Sequence, residues 1–417
     1  MTRGAALVCT HHLFEWAGSE LVAIELVEAL RDRGIPVTVF SPFADPDFTA
    51  DALPSDVPVL TDPGKVRLAD HALIYTQHQA HVPVYAAQDW MAPGARAPIP
   101  EALPVLVCAH LSPWEPLEFP GPVLEPAAAD IVLANSPETA ARLQGFGVLD
   151  QPVALWRNPA PATFEGIAAP PPGDGPPRRL LVVSNHLPPE MEAALDLLST
   201  QGADVTRLGK PGPTRRVRPR DLRAADAVVT IGKTVQYALR SRRPVFCYDR
   251  FGGPGWLGEG NFDAAADANF SGRCTRAPRD AETLAREIAT GFAAAHAFAA
   301  GIHAARLAPF ALEGQLDALL DQVAMATPRL RTALRDDPDR LRARADHEAA
   351  LFRLVDRHYG NERRHRTRVD QLTGTVGDLR GRLAAAEERR RVLRDRNATL
   401  RAEIDTLRAR LKEGETR

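Results

Sequence analysis

At 417 residues the chain has room for two or three domains of about 150 residues each, with more than one buried core. Its 51 lysines and arginines against 53 aspartates and glutamates leave a net charge of -2, which excludes a whole-molecule field drawing it to nucleic acid or an anionic membrane. Apolar residues at 45% and charged residues at 25% exclude wholesale disorder.

The first 160 residues alternate short apolar runs with helical patterns, as βαβ units around a parallel sheet do. Strands are expected at 5–9, 37–40, 72–76, 105–108 and 131–134. Leu21, Ile24, Leu26, Val27 and Leu30 space out a helix over 20–33 that Gly34 stops, and Ser136-Pro137-Glu138 opens another helix that runs to about Gly145. Between Asn158 and Arg178 prolines and glycines crowd together, including Pro170-Pro171-Pro172-Gly173, and predict a stiff linker. A second alternating region follows, with strands expected at 180–184, 205–208, 227–231 and 244–248. Two α/β halves so joined imply a cleft. The division expected is an N-terminal Rossmann-like domain at 1–160, a linker at 161–177, a C-terminal Rossmann-like domain at 178–295, a helical segment at 296–360 and a coiled coil at 361–417.

The coiled coil rests on a heptad with Val369, Val376, Leu383, Arg390, Asn397, Ile404 and Leu411 at a, and Leu372, Leu379, Ala386, Leu393, Leu400 and Leu407 at d. Asn397 favours a parallel pair. Arg382 with Glu387, Glu403 with Arg408 and Arg410 with Glu415 attract across such a pair, while Arg389 with Arg394 and Arg396 with Arg401 repel. Gly374, Gly377 and Gly381 weaken the first turns. A homodimer is expected, with an acidic coiled-coil partner protein as the alternative.

Cys9, Cys108, Cys247 and Cys274 are scattered without C-x-x-C or zinc spacing, as buried thiols of a reducing compartment would be. No uncharged apolar stretch reaches the about 18 residues of a membrane span, and no export signal opens the chain. A cytoplasmic protein without a metal site is expected.

The loop Thr10–Glu20 opens a helix at the carboxyl end of a parallel strand, where ligands bind and free helix amides suit phosphate. Without a G-x-G-x-x-G it does not make a dinucleotide site. Gly18 there either admits a ligand or eases the turn. In the second half, strand 227–231 leads through Gly232 to Lys233 and Thr234 at a helix start, where amides, hydroxyl and ammonium would meet a diphosphate together. A solvated surface role is the plain alternative for Lys233, one of only four lysines. Tyr248–Trp256 is Gly-rich: Gly252 and Gly253 amides could close over a ligand with Asp249 bonding its polar groups, or the loop turns the chain around Trp256. His110 follows an apolar strand at its carboxyl end and could share a proton or make a structural polar contact. His11, His12, His78 and His81 are weaker candidates of the same kind.

Ala17-Gly18-Ser19-Glu20, the helix Leu26 to Gly34, Ala129 to Ser136, Asn158-Pro159 and Arg243-Pro244-Val245-Phe246 together resemble two-domain, GT-B-type nucleotide-sugar glycosyltransferases of family four, over about residues 5 to 290. The resemblance implies two facing Rossmann-like domains, acceptor on the N-terminal side and nucleotide-sugar on the C-terminal side, with retention of configuration and no metal at the chemical step. It gives His110 and Lys233 catalytic roles, and Gly18, Gly232, Thr234, Gln236, Asp249, Gly252 and Gly253 donor-binding roles, with no cofactor beyond the nucleotide-sugar substrate. The family's Glu-x7-Glu pair is replaced: Gln236 stands at the second glutamate and Val228 at the first, while Ser184-Asn185-His186 replace a customary Arg and Lys. The first reading is a hexosyltransferase-type glycosyltransferase acting on a saccharide acceptor. The alternative is a noncatalytic glycan-binding or scaffold protein on the same fold, and a sugar-nucleotide epimerase is a weaker third.

Overall fold

In the computed structural model, which describes residues 4–170, 175–210 and 212–414 and side chains as far as residue 410, the chain forms two compact units, Met1–Phe352 and Arg353–Arg417. Among the described residues the first contains two large β-sheets and a small two-stranded one that pairs His12–Leu13 with Phe43–Ala44. Seven strands, β1 (Ala5–Cys9), β2 (Val37–Phe40), β3 (Val59–Leu60), β4 (His71–Thr76), β5 (Val105–His110), β6 (Ile131–Ala134) and β7 (Val153–Leu155), lie all parallel in the order β3-β2-β1-β4-β5-β6-β7. Apolar residues fill both faces of the central strands because helices cover both sides. Ala6 and Val8 pack with Val22, Leu26 and Leu30 of helix α1 (Gly18–Asp32), whereas Leu7 and Cys9 pack on the opposite face with Tyr85 and Leu124. Ser136 caps helix α2 (Pro137–Gly145) by accepting from the Thr139 amide.

The second sheet has β8 (Arg179–Val183), β9 (Asp204–Leu208), β10 (Ala227–Thr230), β11 (Val245–Asp249) and β12 (Gly252–Trp256) in the order β9-β8-β10-β11-β12. Four strands are parallel and β12 returns antiparallel along β11. The Gly-rich stretch expected as a loop is therefore mostly strand, with only Arg250 and Phe251 in the turn. Its glycines allow that pairing: Gly252 has φ +95, and a Cβ on Gly253 would lie 2.1 Å from the Cys247 carbonyl oxygen. Helix α3 (Lys233–Arg240) follows β10.

Much of the expected linker packs on the second sheet, where Phe164 stacks on Tyr237 at 4.2 Å and 12° and Ile167 joins the same core. Pro171, Pro172 and Gly173 of that segment lie outside the described residues. Helix α4 (Ala281–Gly301) covers the second sheet through Leu284, Ile288 and Phe292. The chain then crosses back, so that Leu312, Leu316 and Leu319 of α5 (Leu312–Met325) join the core under α1, and Leu330, Leu334, Ala345 and Phe352 join the opposite face of the first sheet. Residues expected as one helical segment thus divide between the two sheets.

The second unit consists of the later part of helix α6 (Pro338–Gly414). It stays helical through Gly374, Gly377 and Gly381. Val369, Leu372, Val376, Leu379, Leu383, Leu393, Leu400, Ile404 and Leu407, all at the expected seam positions, are 45% to 61% exposed. The Leu411 side chain and Glu415 lie outside the described residues. No single helix among the described residues is long and apolar enough to cross a membrane.

Candidate functional site

Two helix starts face each other where the sheets meet. Gly18 begins α1 and Lys233 begins α3, and a Cβ on Gly18 would lie 3.9 Å from the Lys233 Cβ. Gly232, at φ +58, makes the turn from β10 into α3. Neither start has a side-chain cap, which leaves first-turn amides to be satisfied by a ligand or water. Lys233 is only 6% exposed and Thr234 is buried beside it.

The sequence leaves Lys233 open to solvent or ligand; in the structure it is an internal ion-pair member. Its ammonium lies 2.6 Å from a Glu25 carboxylate oxygen of α1 and donates to the Pro159 carbonyl. Tyr237 donates its hydroxyl to the other Glu25 oxygen at 2.5 Å, and Arg216 approaches that oxygen at 3.4 Å while making a two-pronged contact to Glu28 at 2.6 and 2.8 Å. Two cations and two carboxylates balance, as buried charges require. Burial pushes the Lys233 ammonium below the usual lysine range, against the opposing pull of Glu25. Gln236, its amide oriented by its neighbours, donates to the Lys233 and Gly232 carbonyls at 2.7 and 2.5 Å. Nearby, Lys210 pairs with Glu15 of the first loop at 2.8 Å and Asn185 donates to the Trp16 carbonyl at 3.2 Å.

Asp249 ends β11 with both carboxylate oxygens engaged. One accepts from the Phe251 amide at 2.8 Å, the other from the Ser271 hydroxyl at 2.6 Å and the Gly272 amide at 3.0 Å. Gly252 and Gly253 serve close backbone approach, with Gly252 against Ala277 and Gly253 against Cys247. These three residues hold the hairpin to its neighbours. The side chain they present is Phe251.

A second polar cluster lies at the carboxyl edge of the first sheet. His110 is the last residue of β5, with Nδ1 2.6 Å from the Glu118 carbonyl oxygen and Nε2 2.7 Å from a Glu125 carboxylate oxygen. Both partners are pure acceptors, so both ring nitrogens carry protons. Burial would lower its pKa, but Glu125 and Glu118 outweigh that and raise it to about 9. His78 sits between Thr10 at 3.2 Å and a Glu118 oxygen at 3.1 Å and stacks on His12 at 4.7 Å. His78 and Gln79 have φ of 58 and 54, backbone strain of the kind found at binding sites. Glu20, fully buried at the start of α1, is raised by burial to about 7, and burial lowers His81 to about 4. The cluster offers donors, acceptors and, in Glu20, one group that exchanges its proton near neutrality.

The structure thus brings Gly18, Gly232, Lys233 and Thr234 together, and places His110 in the edge cluster, which reaches the start of α1 through His12 and Glu20, and Asp249, Gly252 and Gly253 in the hairpin. Sequence reasoning missed Glu25, Glu28, Tyr237, Glu118 and Glu125. Glu25 and Glu28 lie three residues apart on a helix face that also meets the other half, and Tyr237 lies one turn beyond Lys233. Charged residues on a buried face were the available signal.

The family model for Glycosyltransferase Family 4 matches residues 16–164, which hold α1 and the rest of the first sheet after β1. No curated protein matches the chain. Among solved structures, Anabaena HepE in complex with UDP and glucose aligns at TM-score 0.48 and 17% identity, covering 76% of this chain and 99% of its own. A Rickettsia africae glycosyltransferase aligns at TM-score 0.46 and 12% identity over 78% and 98%. The glycosyltransferase SnogD from Streptomyces nogalater aligns at 0.38 and 13% over 77% and 99%.

Proposed function

We propose that this protein is a glycosyltransferase that moves a sugar from a nucleotide-sugar to a saccharide acceptor, with the nucleoside diphosphate seated at the facing starts of α1 and α3. The observation that carries this reading is the meeting of Gly18 with Gly232-Lys233-Thr234, one helix start from each sheet, around a buried lysine. The match of residues 16–164 to a glycosyltransferase family supports it. The leaving diphosphate would meet helix amides, the Thr234 hydroxyl and the Lys233 charge, which stabilise the negative charge that develops as the glycosidic bond breaks. Residues 1–160 then serve the acceptor and 178–295 the donor. Retention of configuration, chemistry without metal or cofactor, a cytoplasmic setting and hexosyl transfer belong to the same reading by resemblance. Self-pairing through the exposed seam of α6 makes the protein a homodimer, or a heteromer with an acidic helix.

A noncatalytic scaffold is favoured by one observation: Lys233, His110 and Asp249 all spend their polar atoms on internal partners. A thermal-shift screen of the intact chain with UDP, GDP, CDP and their sugars separates the two. Ligand at about 100 times its Kd should add about 2.7 kcal/mol. Stabilisation by one nucleotide series with transfer of its sugar supports the enzyme; stabilisation without transfer or hydrolysis supports a degenerate binding protein. No shift with any of them removes the nucleotide site.

A further inference from the structure

Of the five tryptophans, only Trp114 is exposed, at 50%. It follows β5 by four residues, at the carboxyl edge of the first sheet, and its ring lies 6.4 Å from that of Phe251, tilted by 31°. Phe251 follows β11 at the carboxyl edge of the second sheet. Two aromatic rings from different sheets thus approach each other at the junction and contribute to neither core.

The surroundings of Phe251 are built to hold it still. Its amide is tied to Asp249, whose other oxygen is tied to Ser271 and Gly272. Gly272 comes so close to the hairpin that a Cβ would lie 2.0 Å from the Gly252 carbonyl oxygen. The Arg250 guanidinium lies over the Phe251 ring at 4.9 Å. The spacing across the junction is held as well: Arg273, next to Gly272, grips Glu138 at the start of α2 through three hydrogen bonds of 2.8 to 3.0 Å. Several polar groups and two tightly fitted glycines are thus devoted to presenting one apolar ring toward another. Such fixed, partly exposed apolar surface lowers the ordering cost of binding.

We propose that Trp114 and Phe251 form a two-part aromatic platform that stacks a pyranose ring of the acceptor saccharide. This rests on the glycosyltransferase reading and names the ligand class of its acceptor side, to which the half otherwise assigned to the donor contributes Phe251. Aromatic faces suit the C–H face of a sugar, while its hydroxyls need donors and acceptors at the rim. Exposed Glu115 and Arg250, next in sequence to each ring, supply one of each.

The test is saturation-transfer NMR on the full chain with a mixture of methyl glucopyranoside, mannopyranoside, galactopyranoside and N-acetylglucosaminide. Wild-type protein should transfer saturation to the ring C–H protons of at least one glycoside. Trp114→Ala and Phe251→Ala should each reduce that transfer about fivefold or more, and Trp114→Phe should retain most of it. No transfer from the wild type, unchanged transfer in folded Trp114→Ala, or a Trp114→Phe variant as impaired as the alanine would overturn the platform. Thermal melts check folding, and because Trp114 is exposed, Trp114→Ala carries the test if Phe251→Ala does not fold. Titration of the same proteins with UDP and GDP reads the nucleotide site separately, so absence of nucleotide binding by the wild type counts against the enzyme and leaves the glycoside result to stand on its own.

Discussion

The junction of α1 with α3 and the carboxyl edge of the first sheet both bury charge, and they do so in opposite ways. At the junction Glu25 and Glu28 on one side meet Lys233 and Arg216 on the other, so the pairing is made only when the two sheets come together. At the edge, His110, Glu118 and Glu125 are neighbours in sequence and pair within one sheet. Arginine and lysine hold their charge across neutral pH, whereas a histidine does not. The first arrangement therefore resists pH and depends on docking, and the second depends on pH.

The largest effect should follow Glu25→Ala, which leaves a buried ammonium and a tyrosine hydroxyl without their partner. A loss of about 3 to 5 kcal/mol in denaturant unfolding is expected. A loss under about 1 kcal/mol would make this pair no stronger than an exposed one.

The edge cluster should show itself in a pH series. The folded pKa of His110, about 9, is raised above its unfolded value near 6.5, so its contribution is full below pH 6.5 and is lost as pH rises through 9. Glu20, raised from 4.5 to about 7, lowers stability as pH rises across that interval, while His81, lowered from 6.5 to about 4, raises it over nearly the same one. These two oppose each other, and the visible loss should lie between pH 6.5 and 9. Glu125→Gln should cost about 1 to 3 kcal/mol at neutral pH and flatten that alkaline limb; an unchanged limb would remove His110 as its source.

The smallest effect on stability should come from Gly18→Ala. A Cβ there meets nothing nearer than 3.9 Å, so unfolding should change by no more than about 0.5 kcal/mol. Weaker UDP or GDP binding in that stable variant would mark the start of α1 as part of the nucleotide site. Unchanged binding would confine the site to α3.

The alternating α/β pattern was legible because β1, β2 and β6 are short, almost wholly apolar runs set off by capped or glycine-stopped helices. β12 was hidden because glycine and proline disfavour strands, and only the backbone packing against Cys247 and Ala277 explains them. The return of α5 to the first sheet was hidden because an amphipathic face does not name its partner. Lys233 stood out by rarity and by its place at a helix start. Its pairing with Glu25, 208 positions earlier by subtraction of the two residue numbers, left no local trace. Phe251 and Trp114 are likewise far apart in sequence, so the hairpin glycines drew attention while the ring they hold did not.

The central claim is that a diphosphate sits at the facing helix starts beside Lys233. Isothermal titration of UDP and GDP, and of uridine and guanosine, into wild-type and Lys233→Ala protein tests it most directly. A loss of about tenfold or more in affinity for the diphosphate that binds, with its nucleoside little changed, is predicted because the substitution removes the buried ammonium and leaves Glu25 an unpaired anion beside the phosphate. Equal weakening of diphosphate and nucleoside, or full diphosphate affinity in the variant, would contradict it.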